Sequence, residues 1–262
     1  MNPNHFKQKL AEGKVPVGHM LLEFGCRSIA RMLQNAGVDF VLIDNEHSAF
    51  TTSEVADLIA WFRATEIAPF VRVPEIQYHL IARTLDLGAQ GVMIPNVKTA
   101  AEAKAVVDAA KYAPLGKRGV IMGQANTDFQ TLAPADFLVE ANRSTTIICQ
   151  IESVEGVENV EAIAATPGVD VLWVGHFDLT QSQGIPGQFH NPIFLQAMER
   201  VVAAAKRHNL GAGIQPSSLA QAEEWMKMGF NVISYSTDFA VYTAALAAGV
   251  DAVQKLAARI AA

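Results

Sequence analysis

Gly37-Val38-Asp39-Phe40-Val41-Leu42-Ile43-Asp44-Asn45-Glu46-His47 carries the pattern on which the fold turns. A glycine stops a helical stretch, a run of consecutive apolar residues follows, and polar side chains capable of chemistry then arrive together. Glycine just past a helix end readily takes the left-handed conformation that closes it. An unbroken apolar run, rather than an alternating one, suits a strand of a parallel sheet covered on both faces.

The same unit repeats outward in both directions. Candidate strands are Val17–Glu23, Phe40–Asn45, Ala68–Val73, Gly91–Asn96, Thr146–Glu152, Val169–Gly175, Gly211–Gln215 and Asn231–Tyr235. Helical patterns lie between them at Arg27–Asn35, Ser53–Ala64, Tyr78–Leu87, Thr99–Lys111, Val157–Ala164, Asn191–Asn209 and Leu219–Met228, with Gly37, Gly88, Gly168, Asn209 and Gly229 as helix stops. Eight such alternations without a break in composition predict a single α/β domain over residues 1–262, a closed (β/α)8 TIM barrel. A doubly wound open sheet is the alternative. It would carry a Gly-x-Gly-x-x-Gly turn after an early strand, whereas Glu23-Phe24-Gly25-Cys26-Arg27 stands there, and the barrel is favoured. The connection from Ala113 to Ser144 is longer than the rest, with a short helix expected near Ala135–Asn142. Long loops in compact domains are usually functional or mobile, so this one is expected near the site.

Bulk properties narrow the function classes. Half of the residues are hydrophobic and the formal net charge is −6, with Lys and Arg scattered. Nucleic-acid binding would need a basic stripe. Cys26 and Cys149 are far apart, with no finger spacing and no disulfide framework, as expected of a cytoplasmic protein. The N-terminal segment lacks the apolar core of a secretory signal, and no apolar run reaches the ~18 residues of a membrane span. The Ala-rich stretch from Ala244 to Ala262 is broken at helical spacing by Asp251, Gln254, Lys255 and Arg259. It reads as an amphipathic or interface helix.

A barrel delivers its chemistry at the C-terminal ends of its strands. There the sequence supplies Glu23, Asp44-Asn45-Glu46-His47, Arg72, Gln150-Ile151-Glu152, Gly175-His176-Phe177-Asp178, Gln215, Ser236 and Asp238. Arg72 with one carboxylate fits an ordinary ion pair. Glu152 and Asp178 on adjacent strands do not, because like charges raise each other's pKa. A divalent cation between them removes the repulsion, and two carboxylates with open positions suit Mg²⁺, Mn²⁺ or Co²⁺. His47 has an unperturbed pKa of ~6.5 and neighbouring carboxylates to orient it. Arg72 can stabilise charge on a substrate oxygen. His176 is two residues before Asp178 and, on an extended chain, points the same way, which permits a metal or substrate role; a packed loop histidine is the equal alternative. His5, His19, His79, His190 and His208 read as structural or solvated.

These motifs resemble the HpcH/HpaI aldolase family, the metal-dependent class II pyruvate aldolases. The likeness runs from about Gly13 past Asp238 and is strongest at Val38–His47, Phe70–Pro74, Leu85–Val97, Arg118-Gly119, Gln150–Glu152 and Gly175–Thr180. It implies a metal held by Glu152 and Asp178 and chelated by a keto acid. It further implies enolate stabilisation by Arg72 and proton transfer by His47 supported by Asp44. Gln150 would lie close to the metal shell, and Asp86 would reach a neighbouring subunit's site. The resemblance also implies a last helix packed on a neighbour in a homo-hexamer, a trimer of dimers. The reaction implied is reversible cleavage of a 4-hydroxy-2-oxo acid to pyruvate, or a close analogue, and an aldehyde.

Two departures stand out. The family's Asp-Gly-Glu-His is Asp44-Asn45-Glu46-His47 here, and its Gly-Pro-Ala-Asp is Gly175-His176-Phe177-Asp178. The family's backbone amides in that second segment hold the substrate carboxylate, so Gly175, Phe177 and Asp178 become substrate-binding candidates, and Phe177 reshapes their pocket. Three alternatives remain: a Schiff-base aldolase, for which Lys98 and Lys117 are the lysines nearest a site-forming loop; a related lyase of acyl-CoA esters; and a non-catalytic keto-acid-binding barrel.

Overall fold

The computed structural model describes residues 3–261. The eight strands are β1 (Val17–Leu21), β2 (Phe40–Asp44), β3 (Ala68–Arg72), β4 (Gly91–Ile94), β5 (Thr146–Ile151), β6 (Val171–Val174), β7 (Gly211–Ile214) and β8 (Val232–Thr237). They follow one another in chain order around a closed barrel, every pair parallel, with Val17 opposite Ile233 closing β1 onto β8. This closure rules out the open sheet.

The helices are α1 (His5–Ala11), α2 (Ile29–Asn35), α3 (Thr52–Arg63), α4 (Tyr78–Asp86), α5 (Ala100–Ala110), α6 (Pro134–Ser144), α7 (Val154–Glu158), α8 (Val160–Ala164), α9 (His176–Ser182), α10 (Pro192–Arg207), α11 (Leu219–Met228) and α12 (Asp238–Ala261). Two of them begin with reciprocal capping boxes, Thr51 with Glu54 on α3 and Thr99 with Glu102 on α5, which satisfy the free amides of the first turn. The helix expected over Val157–Ala164 is two short ones. Asn159 ends α7 and begins α8, and its side-chain amide donates to the Lys98 carbonyl at 2.9 Å.

Side chains alternate across each strand and build two cores. Outward residues such as Val41, Ile43, Val71, Val92 and Ile147 pack beneath the helices. Inward residues Met20, Phe40, Leu42, Phe70, Met93, Ile148, Val171 and Trp173 fill the barrel. The filling depends on two glycines: a Cβ at Gly18 would collide with the Phe40 ring, and one at Gly213 with the Trp173 indole. Below this layer, α1 closes the N-terminal mouth. Its Phe6 is fully buried, edge-on to Phe40 and Phe70 with centroids 5.2 and 4.9 Å away.

The other mouth stays open. The last helix starts earlier than expected, at Asp238, and along its length only Asp238 is buried. Phe239, Tyr242, Leu246, Val250, Val253, Leu256 and Ile260 are all exposed, and their spacing of three or four residues draws one apolar stripe down α12. Among the described residues, no helix is long and apolar enough to cross a membrane.

Candidate active site at the open mouth

The register of β2 against β3 sets Asp44 directly opposite Arg72. Both face inward, and a bidentate pair follows: Arg72 Nε donates to Asp44 Oδ1 at 2.9 Å and its terminal nitrogen to Oδ2 at 2.8 Å. Asp44 is fully buried, and it also accepts the backbone N–H groups of Glu46 at 3.0 Å and His47 at 3.3 Å. Asp44 therefore supports the His47 backbone, while the carboxylate beside the imidazole is Glu46, 3.6 Å from His47 Nε2 and 3.2 Å from Arg72 Nε. Burial works against the Arg72 charge, but its hydrogen bonds to Asp44 and the nearby carboxylates outweigh that and hold its pKa above the ordinary value. Burial pushes the Glu46 carboxyl up, against the pull of Arg72 and His47.

The second group lies across the barrel. Gln150 is the last inward residue of β5, and Glu152 follows the strand; both are buried. Glu152 Oε1 accepts the Asn96 backbone N–H at 2.7 Å, and Oε2 accepts from the Gln150 side-chain amide. Asn96 can aim that N–H because it adopts a left-handed φ of 51° just beyond β4, a conformation asparagine tolerates better than most residues. A Cβ at position 175 would fall on the Glu152 carboxylate and the Gln150 amide, so Gly175 is a steric requirement. The Glu152 carboxyl is pushed up to about 7, first by burial and then by the Asp178 charge. Gln150 Oε1 is buried without a hydrogen-bond partner.

The segment after β6 differs from the expected extended chain. The strand ends at Val174, and Gly175 begins α9, which places Asp178 in its first turn. Successive helical residues turn by 100°, so His176 and Asp178 do not point the same way. His176 packs among Phe177, Phe189 and Trp225, with ring centroids at 4.7, 5.1 and 5.2 Å, and burial lowers its pKa to about 4. It is a packed aromatic. Phe177 is 63% exposed.

A cavity of about 410 Å³ gathers these elements. His47, Arg72, Gln150, Gly175, Phe177 and Asp178 line it together with Leu22, Trp173, Gln215, Ser236 and Phe239. Glu152 stands just behind, against Gln150 and Gly175. Asp238 and Glu23 take other parts. Asp238 Oδ2 accepts three successive backbone amides, from Leu22, Glu23 and Phe24, at 3.0, 2.9 and 2.8 Å, and so fixes the loop after β1. Glu23 is exposed. Asp86, at the end of α4, pairs with Arg118 at 2.6 Å and stays partly exposed. The long 113–144 segment supplies no lining residue; it contains Arg118 and α6.

No lysine lines the cavity. Lys117 pairs with Asp108. The lysine whose pKa falls to about 8, mainly through burial, is Lys111. It donates to the Asn142 and Thr145 carbonyls at 2.7 and 2.5 Å, at the start of β5 and hence at the barrel's closed end. These placements argue against Schiff-base chemistry at the open mouth. Cys26 is exposed and Cys149 is buried.

The donors present suit a hard cation. Glu152 and Asp178 offer carboxylate oxygens that repel one another, and the unpartnered Gln150 oxygen is buried beside them. Among the described residues, no cluster of three or more His, Cys, Asp and Glu side chains could enclose a metal ion, so any ion here would keep positions for water or substrate.

Comparison with known proteins supplies the family. The model of the HpcH/HpaI aldolase/citrate lyase family matches residues 25–245. The 5-keto-4-deoxy-D-glucarate aldolase of Salmonella arizonae is 34% identical over 92% of this chain and 93% of its own. A crystal structure of an HpcH/HpaI aldolase from Desulfitobacterium hafniense superposes with a TM-score of 0.90 at 34% identity, covering 95% of this chain and 96% of that one. An HpcH/HpaI aldolase/citrate lyase family protein from Burkholderia cenocepacia gives 0.88 at 34% identity, over 96% and 99%. With a closed parallel barrel, an acidic open mouth and likeness over nearly the whole chain, this protein belongs to the HpcH/HpaI aldolase/citrate lyase family of carbon–carbon lyases.

Proposed function

We propose that the chain reversibly cleaves a 4-hydroxy-2-oxo acid to pyruvate, or a close analogue, and an aldehyde. The observation that carries this reading is the meeting of two assemblies in one cavity: the Asp44–Arg72 pair on one side and the Glu152, Gln150 and Asp178 oxygens on the other. Glu152 and Asp178 would hold a divalent ion, Mg²⁺, Mn²⁺ or Co²⁺, which supplies Lewis-acid polarisation of the keto acid when bound. The Arg72 guanidinium, fixed by two hydrogen bonds, stabilises negative charge developing on the substrate's ketone oxygen. The Gly175, Phe177 and Asp178 backbone opens α9, where free N–H groups favour a substrate carboxylate. His47 stands at the rim with Nε2 turned to Glu46. Its Nδ1 is then the nitrogen left to take the 4-hydroxyl proton as the C3–C4 bond breaks.

The curated relatives are named for 5-keto-4-deoxy-D-glucarate, itself a hydroxy keto acid. The apolar stripe of α12 is the surface we assign to a second copy of the chain, in a homo-hexamer built as a trimer of dimers, with Asp86 approaching the neighbour's cavity. The test is exchange of the pyruvate methyl protons for deuterium, followed by NMR. Exchange should require added Mg²⁺, Mn²⁺ or Co²⁺, stop with EDTA, and vanish in Glu152→Ala and Asp178→Ala. Metal-independent exchange with a borohydride-trapped pyruvate adduct would overturn the proposal.

A further inference from the structure

We propose that the outer half of the cavity accepts an aldehyde with an uncharged, apolar tail, and that Phe177 is the side chain that selects it. This rests on the aldolase reading above. The deep end of the cavity is polar and buried, with Arg72 and Gln150 close to Asp44 and Glu152. Towards solvent Leu22, Phe177, Phe239 and Ala240 form an apolar side of the wall, facing the exposed His47, Asp178 and Ser217. Phe177 is 63% exposed, a large apolar surface facing water at the mouth of a polar site, while Phe239 stands where the cavity meets the α12 stripe.

Phe177 is braced. Its ring lies edge-on to Phe189 with centroids 5.0 Å apart, and against His176, which is itself held by Trp225. A ring fixed from behind presents a preformed surface, so a ligand that covers it loses little side-chain freedom on binding.

Charge points the same way. The lining side chains able to carry positive charge are Arg72, His47 and His176, the last packed among the Phe177, Phe189 and Trp225 rings. Arg72 is held by Asp44 and Glu46 at the deep end, where it serves the keto acid, and His47 faces Glu46. A divalent ion would offset Glu152 and Asp178, but the keto acid brings a carboxylate of its own. A second carboxylate, on the aldehyde half, would shed water with no cation of this chain to meet it. An apolar tail would instead gain by leaving water for the ring. The cavity is thus arranged against the diacid for which the curated relatives are named.

The experiment compares aldol addition of pyruvate, with Mn²⁺ present, to two aldehydes of matched shape. Succinic semialdehyde ends in a carboxylate, and 4-methylpentanal ends in an isopropyl group. We expect kcat/KM to favour 4-methylpentanal about tenfold or more, the scale on which a hydrophobic pocket discriminates. Phe177→Ala should bring the ratio towards one, chiefly by raising KM for 4-methylpentanal, and Phe177→Arg should invert it. Both changes are at an exposed position, and pyruvate deuterium exchange run on the same samples reports whether the catalytic centre is assembled. Exchange together with equal or better use of succinic semialdehyde by the wild type overturns this inference alone. A ratio unmoved by either substitution overturns the role of Phe177. No exchange in the wild type would remove the proposed function and this inference with it.

Discussion

Glu152 ties the stability of the metal-free fold to pH. Its carboxyl rises from 4.5 to about 7, because burial and then Asp178 disfavour the anion. The folded chain therefore holds this proton more tightly than the unfolded chain. That advantage is complete below 4.5 and is lost as pH climbs through about 7. In EDTA-treated protein, Glu152 should cost about 3 kcal/mol of stability between pH 5 and 8. Urea denaturation of wild type against Glu152→Gln isolates it, and the variant's profile should be flatter over that window. Arg72 makes a different test. Lysine keeps the charge but not the planar two-point fit to Asp44. Arg72→Lys should lower kcat/KM for cleavage about 10²- to 10³-fold, measured as pyruvate release. Both residues were legible in the sequence because a strand end places them. Asp238 was legible only as a strand-end side chain and Asn96 only as the end of a strand; their roles were not, since each involves backbone amides brought close only by the closed barrel.

The strands and most helices could be read because apolar runs and helix stops recur together. The misread segments are short. α1 and α9 have seven residues each, two turns, in which a 3.6-residue period barely shows; α2 is as short, but Gly37 and the strand after it mark its end. In α9 the sequence Gly175-His176-Phe177 also prolongs the apolar character of β6, and only the glycine marks the change of direction. The short α1 nevertheless carries a large share of the core through one side chain. Phe6→Ala would leave a cavity beneath Phe40 and Phe70, and we expect a loss of about 3–5 kcal/mol in urea denaturation. Phe6 is at the opposite end of the barrel from the site, so kcat/KM under native conditions should hold.

For the whole molecule, α12 is the feature a lone barrel does not explain. Leu246, Val250, Val253 and Ile260 are exposed along one stripe, the kind of surface on which the assembly proposed above would form. Sedimentation velocity should report a mass several times that of one chain, and Leu246→Asp with Val253→Asp should reduce it. The Ala-rich pattern made the helix visible in advance. Its partner was not, because a single sequence records which face is apolar but not what covers it.

The plug formed by α1 also governs traffic. With Met20, Met93 and Trp173 flooring the cavity above the layer that Phe6 closes, the site is a blind vessel with one doorway, and what binds deepest must arrive first and depart last. The oxygens of Glu152 and Gln150 are at the back, while Phe177 and Phe239 stand at the threshold. In cleavage the aldehyde should therefore leave before pyruvate. Pyruvate should then inhibit competitively against the hydroxy keto acid and the aldehyde non-competitively. The reverse pattern would mean that the aldehyde, not pyruvate, occupies the blind end.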